Sequence, residues 1–345
     1  MDDVLEEILL KLDDKSINTL KTVNVNFFRD IEKIEEKEEF WRKKLSNYLE
    51  FEVFDRVDNW RTMYINSVLV QKYLFGLIEF DYPEIINGLI KNGLDPTLNH
   101  DAAIRFAARK GRVNIVKVLL ADPRVDPSAL NNYAFSQAAA GNHLEVMQLL
   151  LSDSRFRMND LLFIDICTSG FLSGAKTLLK DSRTDPSIRN NTAFICAAWN
   201  NHVEIVKLLL TDSRVDPTAQ NNKALMKVSK EGRAETLKLL LKDPRVDPSV
   251  RQNKALENAI YHRKAEIVKL LLSDSRVDPV YQNNNALRTA IYRFSEEIIT
   301  LLLSDNRIRE SLFRINVRDA KILFYYFNNQ NIISTQLLEA ILEET

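Results

Sequence analysis

The tripeptide Asp-x-Arg begins at Asp122, Asp153, Asp181, Asp212, Asp243, Asp274 and Asp305, so that one register recurs at intervals of 31, 28, 31, 31, 31 and 31 residues. A period of this length means a supersecondary unit that cannot bury its apolar face alone and does so against its neighbours. Within one unit, Ile205, Val206, Leu208 and Leu209 follow the i, i+3, i+4 spacing of a helix buried on one side. Ahead of it, the stretch Ala193-Phe194-Ile195-Cys196-Ala197-Ala198 reads as a second short helix whose Ala residues permit close approach. Each unit is therefore a helical hairpin, and the expected fold is all-α, an α-solenoid. Asn190-Asn191 and Asn221-Asn222 precede the first helix, where Asn side chains are expected to cap free amides and to tolerate turn geometry. Asp185-Pro186 and Asp216-Pro217 follow the second, where Pro stops the helix and Asp accepts turn hydrogen bonds.

Eight units fit: an imperfect first around Lys72 to Asn99, then starts near His100, Asn131, Asn159, Asn190, Asn221, Gln252 and Asn283. Phe156-Arg157-Met158 in the third and Ile308-Arg309-Glu310 in the eighth replace the Val-Asp-Pro stretch, so those two connections are expected to be the shortest. Residues 72–313 form the repeat array. Residues 314–345, with Leu337, Leu338, Ile341 and Leu342 beside Glu339, Glu343 and Glu344, suit a polar C-terminal cap. Residues 1–45 fall outside the period and read as three short helices. Residues 46–71, with Phe51, Phe54, Trp60, Tyr64 and Val68, are too apolar for a tether and read as a helical connector. The expected whole is a curved, elongated monomer.

Chemistry of other kinds finds little support. Only eight residues are Gly, far below the average of about 7%, and no G-x-G-x-x-G, G-x-x-x-x-G-K-[ST] or G-x-S-x-G occurs. Phosphate-cradling loops and nucleophile elbows are excluded with them. Lys plus Arg number 47 against 48 Asp plus Glu, so no global field draws the chain to nucleic acid or anionic lipid. Basic residues do not gather with aromatics as a nucleic-acid platform requires, and no nucleic-acid partner is expected. No apolar run approaches the roughly 18 residues of a membrane span, and no secretory signal opens the chain, so a cytoplasmic or nuclear protein is expected. Cys167 and Cys196 read as reduced core residues. His100, His143, His202 and His262 lie near the turns of different units without a second ligand at metal spacing; no metal, cofactor or catalytic residue is expected. Asp212, Arg214 and Asp216 read as loop pairing worth little, or as a charge ladder between adjacent units.

The repeat resembles the ankyrin repeat. The family's T-P-L-H-x-A-A is similar to Thr192-Ala193-Phe194-Ile195-Cys196-Ala197-Ala198, its G-H-x-E-[IV]-V to Asn201-His202-Val203-Glu204-Ile205-Val206, and its L-L-L…D-[PV] to Leu208-Leu209-Leu210…Asp216-Pro217. The resemblance implies a non-enzymatic, protein-binding stack with stubby fingers, in which the residue after the Ala-Ala pair faces a concave groove. By register these are Arg109, Ala140, Thr168, Trp199, Lys230, Tyr261 and Tyr292. Leu209, Leu240, Leu271 and Leu302 repeat unchanged, whereas this column varies, as positions free of shared packing demands do. Arg109, Trp199, Lys230, Tyr261 and Tyr292 are the expected partner-binding residues, and the aromatics among them suit hot spots; the same rings would also serve to fill gaps between first helices.

Residues 1–45 resemble an F-box. The pattern L-P-x-E-I-L…L…L-x-x-V-x-x-x-F-x-x-I…[FL]-W-x-x-L is similar to Val4-Leu5-Glu6-Glu7-Ile8-Leu9, Leu20-Lys21-Thr22-Val23, Phe27 or Phe28, Ile31 and Trp41, without the leading Leu-Pro. The resemblance implies docking on a Skp-type adaptor of a cullin-RING ubiquitin ligase through Leu5, Ile8, Leu9, Leu12, Leu20, Val23 and Phe27, with a protein substrate held by the repeats. The combination is similar to F-box/ankyrin proteins of large DNA viruses and protists. Two alternatives stay open: a head that only caps the first repeat, and an ankyrin scaffold or inhibitor without a ligase link.

Overall fold

The structure, a computed structural model, describes residues 74–91 and 94–312. The F-box-like head, the connector and the C-terminal cap lie outside the described residues. The chain divides into two compact units, residues 1–162 and 163–345, and each is described by itself.

In the first unit, helix α1 (Phe75–Glu79) pairs with α2 (Pro83–Lys91), α3 (Leu98–Lys110) with α4 (Val113–Ala121), and α5 (Ala129–Ala140) with α6 (Leu144–Ser152). Helix α7 (Asp160–Ser169) contains the boundary. The second unit continues with α8 (Leu172–Leu179), then the pairs α9 (Ile188–Trp199) with α10 (Val203–Leu210), α11 (Ala219–Glu231) with α12 (Ala234–Lys242), α13 (Val250–Tyr261) with α14 (Ala265–Leu272), and α15 (Tyr281–Tyr292) with α16 (Glu296–Ser304). Helix α17 (Asn306–Leu312) closes it, so Ile308-Arg309-Glu310 is helical where a short loop was expected. No strand occurs among the described residues. In the second unit, first helices α9, α11, α13 and α15 pack successively, as do second helices α10, α12, α14 and α16.

The apolar periodicity explains that packing. Ala197 and Ala198 are fully buried between first helices, and Ile205, Val206 and Leu209 are buried beneath the second. Leu209, Leu240, Leu271 and Leu302 are all buried completely, which is why the position is invariant. Truncating one such Leu to Ala typically costs about 2–5 kcal/mol. Cys167 is buried, and Cys196 is half-buried, more exposed than the core position expected.

The Asn pairs do not cap. Helix α9 opens with three consecutive left-handed residues, Arg189 (φ 50°), Asn190 (φ 57°) and Asn191 (φ 60°), and no side-chain cap bond is made. The same triplet opens α3, α5, α11, α13 and α15. Non-Gly residues avoid this region, and Asn and Asp are the least unfavourable exceptions. The third residue of every triplet is Asp or Asn, and in three of them it has a second task. Asn191 Oδ1 accepts the Asp216 amide at 2.9 Å, Asn253 Oδ1 the Asp278 amide at 2.9 Å, and, in the first unit, Asp101 Oδ1 the Asp126 amide at 3.0 Å. At Asn132 and Asn222 the pattern lapses, and the Arg157 amide goes to Ser128 Oγ at 2.7 Å. The Asp-Pro turns behave as expected, with Asp216 Oδ1 accepting the Thr218 amide at 2.8 Å and its hydroxyl at 2.7 Å.

Candidate functional site

The column of variable residues sits at the last turn of each first helix. Trp199, Tyr261 and Tyr292 end α9, α13 and α15, and Thr168 and Lys230 are the penultimate residues of α7 and α11. Trp199 is 39% exposed, Tyr261 48% and Tyr292 77%, among residues whose neighbours Ala198, Ile260 and Ile291 are buried. Lys230 is exposed between them and Thr168 is half-buried. In the first unit, Arg109 and Ala140 take the same register and are exposed.

The backbone of this column is tied to the following repeat. His202 Nε2 lies 2.8 Å from the Thr168 carbonyl and, in the first unit, His143 Nε2 lies 3.0 Å from that of Arg109. A carbonyl only accepts, so Nε2 carries the proton in both rings. These His are structural ties between repeats. Arg233 holds the same register as His202 and donates Nε to the Trp199 carbonyl at 3.3 Å, while Arg293 donates to that of Tyr261 at 3.1 Å. These carbonyls end a helix and have no intrahelical partner. The turn that brings His202 into place needs a left-handed residue, Asn201 (φ 62°). At the corresponding Gly170 (φ 81°) a Cβ would meet the His202 ring at 2.6 Å, so glycine is required there by both conformation and space.

Cations cover the rings. Lys227 Nζ stands 3.9 Å from the Trp199 ring centroid and Arg293 Cζ 4.3 Å from that of Tyr261, distances that suit cation–π attraction. Each cation is 28 or 32 residues from its ring along the chain and beside it in space, a pairing that the sequence did not reveal. His262, next to Tyr261, has its pKa held down, first by burial and then by the Lys230 charge.

The Asp-x-Arg motif pairs within its own loop, as the sequence reading expected, and in addition reaches the preceding repeat. Arg276 Nε and Nη2 grip Asp274 at 2.9 and 2.7 Å, and the fork thus fixed donates to the Val246 carbonyl at 2.8 Å and the Leu241 carbonyl at 3.0 Å in the preceding repeat. Arg245 reaches Val215 at 2.9 Å and Leu210 at 3.1 Å, and Arg307 reaches Val277 at 2.7 Å and Leu272 at 2.8 Å. Arg214 pairs with Asp212, not Asp216, and donates to the Thr184 carbonyl at 3.0 Å. The Arg hydrogen bonds hold the carboxyls of Asp212, Asp243, Asp274 and Asp305 below the usual range. Sequence reasoning missed this staple because a backbone carbonyl has no signature in the sequence; the invariance of Arg at one register was the available signal.

Among the described residues, no group of three His, Cys, Asp or Glu is placed to hold a metal ion, and burial pushes the Cys167 thiol up, away from nucleophilic use. No helix among them is long and apolar enough to cross a membrane. The family model for ankyrin repeats (3 copies) matches residues 162–252 and 225–318. A comparison with curated proteins finds no match. The second unit thus carries ankyrin repeats, and the column lies on a protein–protein interaction module.

Proposed function

We propose that this chain recruits a protein substrate to a cullin-RING ubiquitin ligase. The repeats capture the substrate through Trp199, Lys230, Tyr261 and Tyr292, with Arg109 at the same register in the first unit. Residues 1–45 dock on a Skp-type adaptor through Leu5, Ile8, Leu9, Leu12, Leu20, Val23 and Phe27. The observation that carries the substrate surface is the exposure of three large aromatic rings at one register, directly beside buried scaffold positions. Large apolar side chains gathered at one exposed register mark a place for a partner, and Trp and Tyr are the residues that most often anchor one. The adaptor half of the reading is supported by the F-box-like apolar spacing of the head. The chain would itself catalyse nothing.

Two variants separate the halves. Leu5→Ala/Ile8→Ala/Leu9→Ala should abolish binding to a purified Skp-type adaptor while the circular dichroism of the repeats stays unchanged. Trp199→Ala/Tyr261→Ala/Tyr292→Ala should leave adaptor binding intact and weaken substrate capture by more than about 2 kcal/mol, the size of a hot spot. Adaptor binding that survives the first variant removes the ligase reading and leaves an ankyrin scaffold or inhibitor.

A further inference from the structure

The charges of the second unit are unevenly matched. On the second helices, Lys207 pairs with Glu204 at 2.6 Å and Lys238 with Glu235 at 2.8 Å, and on α13 Lys254 pairs with Glu257 at 2.8 Å. At the column the acids thin out. Lys230 makes no ion pair or hydrogen bond with the described residues, and Lys227 faces only the Trp199 ring. Around His262 the charges that act are Lys230, Lys264 and Arg293 against the single acid Glu231. Overall, 47 basic side chains balance 48 acidic ones. A face with unmatched cations on such a chain is a local feature that calls for negative charge from outside.

The spacing sets the form of what binds. First helices that pack face to face lie about 8–10 Å apart, so the run from Trp199 through Lys230 and Tyr261 to Tyr292 extends roughly 24–30 Å. An extended chain advances about 3.3 Å per residue. Some eight or nine residues therefore span the column, meeting one column residue roughly every third position. Acidic single-stranded nucleic acid has the right charge but would stack its bases on the ring faces, and one face each of Trp199 and Tyr261 is already taken by Lys227 and Arg293. What remains open are the Tyr292 ring and the edges of the other two for apolar side chains, and ammonium or guanidinium groups for carboxylates.

We propose that the occupant of the Trp199–Tyr292 column is an extended, acidic segment of a partner protein, with carboxylates at Lys227, Lys230 and Arg293 and apolar side chains against the rings between them. The inference rests on the reading of the column as the substrate surface and adds the chemistry of the partner.

The test uses the full chain and fluorescence anisotropy. The probes are a fluorescein-labelled peptide of three Glu-Leu-Glu-Ser units, its Gln-Leu-Gln-Ser counterpart and a 15-nucleotide oligothymidine. The acidic peptide is expected to bind saturably, at least tenfold more tightly than the Gln peptide, with affinity falling as salt rises. Lys230→Glu, an exposed change checked for folding by circular dichroism, should weaken the acidic peptide at least tenfold. Equal binding of both peptides, lost in the triple aromatic variant, would overturn the acidic partner and leave the docking surface standing. Acidic-peptide binding indifferent to both Lys230→Glu and the aromatic variant would remove the docking surface as well. No saturable binding of the acidic peptide, or tighter binding of oligothymidine, also overturns the proposal.

Discussion

Asn190 and Asn191 hold a conformation that costs most L-residues roughly 1–2 kcal/mol each, and they hold it consecutively. Asn190 is exposed, so its side chain serves the backbone conformation alone. Asn190→Ala is expected to lower stability by about 1 kcal/mol, whereas Asn190→Gly should stay within a few tenths of the parent, because Gly takes positive φ without strain. Urea unfolding of both variants checks this; equal losses would mean that the side chain, not the dihedral, matters. Asn191 adds its bond to the Asp216 amide, so Gly would not rescue that position.

The ends of the second helices show how one element completes another. Leu241 and Leu272 lie in the last turns of α12 and α14, where carbonyls lack intrahelical partners, and Arg276 and Arg307 of the following repeats supply the donors. Arg276→Ala should cost about 1–3 kcal/mol, since charge-assisted hydrogen bonds are lost and carbonyls are left unpaired. Arg276→Lys should recover less than half of this in urea unfolding, because one ammonium cannot grip Asp274 and reach two carbonyls together. Full recovery by Lys would mean that charge alone suffices. The same fork gives the array an acid sensitivity. The paired aspartates have folded pKa values below their unfolded value of about 3.9. Their stabilisation is therefore complete above about pH 4 and is lost as pH falls through the folded values. The urea midpoint should drop as pH falls below about 4, and Asp274→Asn should flatten part of that drop.

At the scale of the molecule, repeat proteins are stabilised unit by unit and by nearest-neighbour interfaces. Deleting residues 1–45 should thus abolish adaptor binding while hydrogen exchange across residues 163–312 stays as in the full chain. Faster exchange spreading through those repeats would instead identify the head as a cap. The exposed column is likewise a property of many repeats, because no single helical hairpin presents more than one of Trp199, Lys230, Tyr261 and Tyr292.

The helices, their pairing and the turns were legible in the sequence because each is coded by residues a few positions apart, apolar spacing for the helices and Asp-Pro for the stops, whereas the three consecutive left-handed residues before each first helix were not, since the Asn pairs read as caps. The exposed column was legible too, since a register free of packing demands varies where Leu209, Leu240, Leu271 and Leu302 cannot. Only the tertiary structure decided what Arg276, His202 and Arg233 are for, since their acceptors are backbone carbonyls of the preceding repeat, invisible in any side-chain pattern. It alone also decided that Lys227 covers Trp199 and Arg293 covers Tyr261. A period of 31 residues disperses the members of one surface along the chain, and the packing distance between first helices gathers them again.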